Sequence, residues 1–326
     1  MGVRSTKNPK KETLVALYKQ MKTFRVFEEK IAELYTKGHI GGFCHLYIGQ
    51  EAVVSGITHN MMPQDSCITS YRDHAHMLAF GASMESVMAE LCGRETGCSK
   101  GKGGSMHMYK RDRNFFGGNG IVGAQVSLGT GLAFAHKYKK DNGVSVVYFG
   151  DGAANQGQVY ESFNMASLWE LPVVYVLEDN KYAMGTSVAR STLDGSLEKR
   201  GEPFYMKTII SDGMDIIDVL EKSKEAIDYS RSESKPVLLC VNTYRYRGHS
   251  MSDPATYRTK DEVSEMKKLD PVDCLYNVLV DDYGVQDADL QEIEQGIVSR
   301  VSEAENTVLS ANEPDVGSLM QDIYSF

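Results

Sequence analysis

The chain has 326 residues, 42% of them hydrophobic and 24% charged, with a net charge of −9. That length supports an ample core, the acidic balance argues against nucleic acid as a partner, and no apolar run approaches the roughly 20 residues that cross a membrane. Six cysteines, scattered without framework or paired zinc-ligand spacing, read as free thiols in a reducing compartment.

Met1-Gly2 with Thr6 fits the short N-myristoylation pattern, which often arises by chance. Residues 14–35 mix Lys19, Lys22, Arg25 and Glu28 into an apolar pattern, unlike a secretory signal. The expected location is therefore bacterial cytoplasm or an organelle interior, not the outside. Leu14, Leu17, Met21, Phe24, Phe27, Ile31 and Leu34 fall at steps of three and four and predict a helix over about 12–36, stopped by Gly38. From Gly93 to Gly131 the chain is dense in glycine with little periodicity, and reads as long loops that bring backbone close to another group. Within it, Gly97-Cys98-Ser99-Lys100-Gly101-Lys102-Gly103 is one residue short of a P-loop, and glycine stands where the Mg2+-holding hydroxyl belongs. Gly118-Asn119-Gly120-Ile121-Val122-Gly123 matches G-x-G-x-x-G, but "HMYKRDRNFF" before it is too charged for the strand a dinucleotide fold needs.

Beyond residue 143 the pattern alternates. Strands are expected at 144–149, 172–178 and 236–244, and helices at 153–169 and 214–231. Such alternation predicts an α/β fold, a parallel sheet with helices on both faces. An acidic helical segment at about 284–310 reads as a solvated helix packed on the outside. Without a repeat, low-complexity tract or linker, residues 1–326 are read as one domain.

"VSVVYFGDGAANQG" ends a β-rich run in one carboxylate, Asp151, between Gly150 and Gly152. Ligands of parallel sheets bind beyond the carboxyl ends of strands, and a helix starting near Ala153 would aim its free N–H groups there. Asp151 could simply cap that helix. A second run, "VVYVLEDNKYAMGTS", also ends in oxygen-bearing side chains, Asp179 and Asn180, one helix plus one strand further on. Asp, Asn and a loop carbonyl form a sparse oxygen set suited to Mg2+ shared with a diphosphate.

Gly150-Asp151-Gly152 followed by Asn180 resembles the thiamin-diphosphate signature. With "GGFCHLYIGQEA", "SYRDHAH", "GKGGSMHM", "GGNGIVGAQV" and "TYRYRGHSMSDPATYRT", the chain resembles, over about residues 20–260, the alpha-subunit family of thiamin-diphosphate-dependent 2-oxo acid dehydrogenases, in its pyruvate dehydrogenase branch. The resemblance implies the diphosphate-binding half of the thiamin-diphosphate fold. It implies that Asp151, the Asn180 side chain and the Tyr182 carbonyl hold Mg2+. Gly152 and Ala153 amides, with Tyr71 and Arg72, would grip the diphosphate; backbone at Gly120 and Val122 would meet the aminopyrimidine. His45 and His249 would face the reacting carbons as proton handlers or orienters, with Phe43 against the substrate. Asp179 departs from the family, which usually has a second Asn there, but it precedes the ligand.

The implied activity is oxidative decarboxylation of pyruvate with transfer of the acetyl group to a lipoyl domain. Acetoin dehydrogenase alpha chains are the near alternative; branched-chain 2-oxo acid dehydrogenases usually carry Glu at the position of Asp151. No free glutamate motif serves the aminopyrimidine, so the resemblance implies that a beta subunit supplies it, in an assembly of two alpha and two beta chains. Ser250 and Ser187, with Thr256, lie where relatives carry or approach regulatory phosphorylation sites.

Overall fold

A computed structural model describes residues 9–324; the Met1-Gly2 pattern lies outside them. Helix α1 (Lys11–Thr36) buries Leu14, Leu17, Met21, Phe24, Phe27, Ile31 and Leu34, and ends before Gly38, whose φ of +81° suits a residue without a side chain. Next come α2 (Glu51–Asn60), the short strand β1 (Ser66–Ile68), α3 (His74–Ala79), α4 (Met84–Leu91) and α5 (Ala124–Lys139). Strand β2 (Ser145–Gly150), helix α6 (Gly157–Leu168) and strand β3 (Val173–Asp179) follow. An antiparallel hairpin, β4 (Tyr182–Ala183) with β5 (Thr186–Ser187), leads through α7 (Val188–Ser191) to β6 (Lys207–Asp212), α8 (Ile216–Glu233) and β7 (Val237–Asn242). Helices α9 (Lys260–Lys267), α10 (Pro271–Asp281) and α11 (Asp287–Leu309) complete the described chain.

Five strands form one parallel sheet in the order β1-β2-β3-β7-β6. Side chains alternate across it, and each face has its own apolar layer. Val146, Tyr148, Val174, Val176, Leu239 and Val241 pack with α1, α2 and α8 residues such as Phe27, Ile57 and Val219. Val147, Phe149, Tyr175, Leu177 and Leu238 pack on the other face with Val126 of α5 and Phe163 of α6. Strands covered on both faces need near-continuous apolar runs, and each fully buried aliphatic side chain contributes about 1.5–3 kcal/mol.

Three local expectations change. The helix expected from Ala153 is split: Ala153–Asn155 is a single 3-10 turn, Gln156 is extended (φ −78°, ψ 134°), and α6 starts at Gly157. The glycine-rich loops end at Gly123, because α5 begins at Ala124. Gly129 serves helix packing there, since a Cβ on it would lie 2.3 Å from Val147 Cγ2. Helix α11 is solvated on one face only, because Ile297, Val301, Ala304 and Val308 are buried in the main core.

Candidate active site

A cavity of about 850 Å3 opens at the carboxyl end of the sheet. The β2–β3 ladder pairs Gly150 with Glu178, so Asp151 and Asn180 leave adjacent strands at one edge. Gly152 lets the β4–β5 hairpin approach this edge, because a Cβ there would sit 2.5 Å from Ala183 Cβ. Asp151 is buried, and its Oδ2 has no hydrogen-bond partner. Burial, then the neighbouring Asp179 charge, pushes its carboxyl up to about 6, against the pull of Arg245. A buried oxygen of that kind is costly unless a cation meets it.

Asn180 is held at both ends of its amide. Its Nδ2 donates to Gln50 Oε1 at 3.1 Å, and its Oδ1 accepts from Arg245 Nη1 at 3.2 Å. The same Nη1 donates to the Tyr182 carbonyl at 3.0 Å. One carboxylate, one amide oxygen and one carbonyl are hard oxygen donors, a set that fits Mg2+ and leaves positions for oxygens of a bound ligand. Among the described residues no cluster of three or more His, Cys, Asp or Glu offers an alternative metal site. Asp179, beside this oxygen set, is paired with Lys181, whose Nζ lies 2.7 Å from its Oδ2.

Four rings cluster in the same cavity. His45 lies 4.5 Å from Tyr71 and 5.2 Å from His249 between ring centroids, with Phe43 6.4 Å from His45. Burial, then the Arg72 charge, lowers His45 to about 2 and His249 to about 4, so both imidazoles are uncharged at neutral pH. The backbone of His249 is fixed on two sides. Its N–H donates to Asp253 Oδ2 at 2.6 Å, and its carbonyl accepts from Arg72 Nη2 at 2.9 Å. Arg72 is buried and its guanidinium falls to about 10, through burial first and Arg245 second. Two buried guanidinium groups in one cavity call for a polyanion.

Gly120, Val122 and Ala153 also line the cavity, as does Ser250, whose Oγ is 3.0 Å from Ser252 Oγ. Ser187 sits in β5 and Thr256 in the exposed part of the 245–259 segment, and neither lines it. The sequence reading missed three residues. Gln50 and Arg245 orient Asn180, and Glu178 is buried with the Tyr47 hydroxyl donating to its Oε1. Glu178 had a signal, as the only charge inside an apolar strand run before Asp179. Arg245 follows a buried strand directly, a weaker cue, and Gln50 has none.

The P-loop-like segment holds no anion site for a ligand. The Glu90 carboxylate already accepts from the amides of Ser99, Gly101, Gly103 and Gly104 at 2.6–3.1 Å. A second cavity of about 490 Å3 lies behind the 246–255 segment, so that Ser250 and Asp253 line both.

The family model for the dehydrogenase E1 component matches residues 19–317. The chain is 53% identical over 316 residues to a Rickettsia felis protein named pyruvate dehydrogenase E1 component subunit alpha, covering 97% of each. A Rhizobium meliloti protein of the same name is 52% identical over 314 residues, 96% of this chain and 90% of the relative. The mitochondrial subunit alpha of Dictyostelium discoideum is 46% identical over 316 residues, 96% and 83% respectively.

Proposed function

Because the chain belongs to the dehydrogenase E1 component family, we propose that it is the alpha subunit of a pyruvate-decarboxylating component that uses thiamin diphosphate and Mg2+. The observation that carries the reading is the unpartnered Asp151 Oδ2, in one cavity with Asn180, the Tyr182 carbonyl and two buried arginines. Asp151, Asn180 and Tyr182 would hold Mg2+. Gly152, Ala153, Tyr71 and Arg72 would hold the diphosphate, and backbone at Gly120 and Val122 would meet the aminopyrimidine. When bound, the cofactor supplies the carbanion that takes up the keto carbon and accepts the electrons left by departing CO2.

The chain's own residues do the rest. His45 and His249 are uncharged here. The negative charge of a bound diphosphate, offsetting the Arg72 charge that after burial lowers them, would raise their proton affinity so that each could accept and return a proton at a ring nitrogen. Rigid backbone contacts at His249 keep its imidazole directed into the cavity. Phe43 and the neighbouring rings exclude water from the substrate. The carboxylate needed beside the aminopyrimidine is assigned to a beta subunit, in an assembly of two alpha and two beta chains. A lipoyl domain receives the acetyl group. Residues 1–326 act as a single domain in the cytoplasm or an organelle interior; among the described residues no helix is long and apolar enough to cross a membrane.

The relatives' names favour pyruvate over acetoin or branched-chain substrates. The test is lipoyl-domain acetylation by the co-expressed alpha and beta chains, with each substrate in turn and with thiamin diphosphate and Mg2+ present or withheld. Pyruvate should be preferred and both additions required; preference for acetoin, or activity without them, would overturn the reading.

A further inference from the structure

We propose that Glu28 is a positioning residue for His45: its carboxylate holds the backbone amides on both sides of Leu46, directly at Tyr47 and through His74 and Ser105 at His45. This rests on the reading that His45 faces the reacting carbons. Residues 43–47 belong to no helix or strand, so their backbone groups have no ladder to join. They are satisfied from elsewhere in the chain. Glu28 Oε1, on α1, accepts from the Tyr47 N–H at 2.9 Å. Glu28 Oε2 lies 2.9 Å from Nδ1 of His74, the first residue of α3. His74 Nε2 lies 2.8 Å from Ser105 Oγ, which in turn accepts from the His45 N–H at 3.3 Å. Between the two amides the Leu46 carbonyl accepts from Arg72 Nη1, and just before them the Cys44 carbonyl accepts from the Met251 N–H at 2.9 Å.

The direction of each bond follows from what the groups can donate. An ionised carboxylate only accepts, so His74 Nδ1 carries the proton shared with Glu28. In the neutral ring Nε2 is then the acceptor. The Ser105 hydroxyl donates to it, which leaves the oxygen lone pairs for the His45 N–H. Glu28, His74 and Ser105 are all buried, so each bond polarises the next with little competition from water. Acid, histidine and serine in this order also make up a hydrolase triad. Ser105, however, lines neither cavity, and its Oγ is taken by the His45 amide. It positions rather than attacks. The His45 ring has no such hold of its own. Its Nδ1 is buried without a hydrogen-bond partner, and its contacts with Tyr71 and His249 are ring to ring. The imidazole therefore inherits its place from its backbone. Play in that backbone reaches the ring undamped, and a misplacement of about 1 Å at a reacting group costs on the order of 100-fold in rate.

The experiment uses the co-expressed alpha and beta chains. Ser105→Ala removes one oxygen, cuts the link to His45 and leaves the bond from Tyr47 to Glu28. It should lower kcat for lipoyl-domain acetylation about tenfold while thiamin diphosphate affinity stays within about twofold of wild type. Affinity falling in step with kcat would mean general support of the fold and overturn the proposal. In the double variant His45→Gln with Ser105→Ala, the two losses of single-turnover decarboxylation should not multiply, because one acts through the other. Independent multiplication would overturn it. Amide deuterium exchange in the cofactor-free complex needs no turnover. Ser105→Ala should speed exchange at His45 alone, and Glu28→Met, similar in length but without an acceptor, at both His45 and Tyr47, each by about tenfold or more. Unchanged exchange at His45 in Ser105→Ala would overturn the link. If exchange responds as expected but His45→Gln turns over like wild type, the hold on the backbone stands and the placement of His45 at the reacting centre is what fails.

Discussion

Asp151 is a carboxylate that the fold does not need. It lies beyond the last ladder pair of β2, has an orphan oxygen, and is held with a raised proton affinity. Removing it relieves a buried charge while leaving packing intact. Asp151→Ala should therefore melt within a few degrees of wild type yet lose Mg2+-dependent thiamin diphosphate binding, by about 100-fold or more, judged against the 10–100-fold typical of outer-shell changes. Calorimetric titration checks this, and unchanged affinity would remove the metal assignment. Glu178 behaves differently with pH. Burial lifts it from the ordinary 4.5 to about 7, so the folded state favours its protonated form. That contribution is complete below about pH 4.5 and is lost as pH rises through 7. Between pH 5 and pH 8 the metal-free wild type should lose on the order of 2 kcal/mol relative to Glu178→Gln, which keeps the acceptor for Tyr47. Urea midpoints at the two pH values measure the difference; a constant gap would mean that Glu178 does not ionise in that window.

Elements were legible where period and chemistry coincide. The apolar runs of β2, β3 and β7 stand out because both faces of the sheet are covered, and the polar residues that stop them mark its carboxyl edge. Strand β1 has only three residues and edge strand β6 alternates weakly, so neither carried a signal. The broken start of α6 was invisible for another reason, since Ala153 and Asn155 suit a helix and only the extended Gln156 interrupts it. Gln50 and Arg245 were hidden because their partner Asn180 lies 130 and 65 residues away in sequence. The 245–259 segment is irregular yet tied down, with the Arg258 guanidinium donating to the carbonyls of Arg245, Tyr246 and Arg247. Arg258→Ala should loosen the segment without disturbing the sheet. Proteolysis within 245–259 should accelerate several-fold and cofactor affinity should fall by about 1.5–3 kcal/mol, the scale of one lost charged hydrogen bond. Equal cleavage of the two proteins would show that the segment is held by other contacts.

At the scale of the whole molecule, the surface is incomplete. Phe43 is 63% exposed beside the cavity, and Ile121 and Val122 are exposed next to it. Helices α5 and α6 present Leu128, Phe134, Tyr138 and Leu168 to solvent, and Trp169, just past the end of α6, joins them with its ring 5.7 Å from Phe134 between centroids. Contiguous apolar surface of this kind marks an interaction face, and the proposed occupant is the beta subunit. Purified alone, the chain should decarboxylate pyruvate negligibly, with activity returning on co-expression. Leu128→Glu combined with Tyr138→Glu should prevent co-purification of the two chains while the alpha chain still melts cooperatively. Full turnover by the isolated chain would show that the missing carboxylate is already inside it.

The 246–255 segment has a cavity on each side, and Ser250 and Asp253 face both. A wall of that kind is a thin septum held mainly by hydrogen bonds, with most of its residues partly exposed, whereas Val237 to Val241 of strand β7 are all buried. Local opening costs least where apolar contacts are few, so its amides should exchange with deuterium orders of magnitude faster than those of Leu238 to Val241. The residence time of a bound cofactor then becomes a property of the septum rather than of global stability. Variants that stiffen it should slow release without raising the melting temperature, and variants that thin it should shorten occupancy while the fold stays intact. Pulse-labelled exchange, set beside cofactor dissociation in the same samples, would reveal that coupling as two rates moving together.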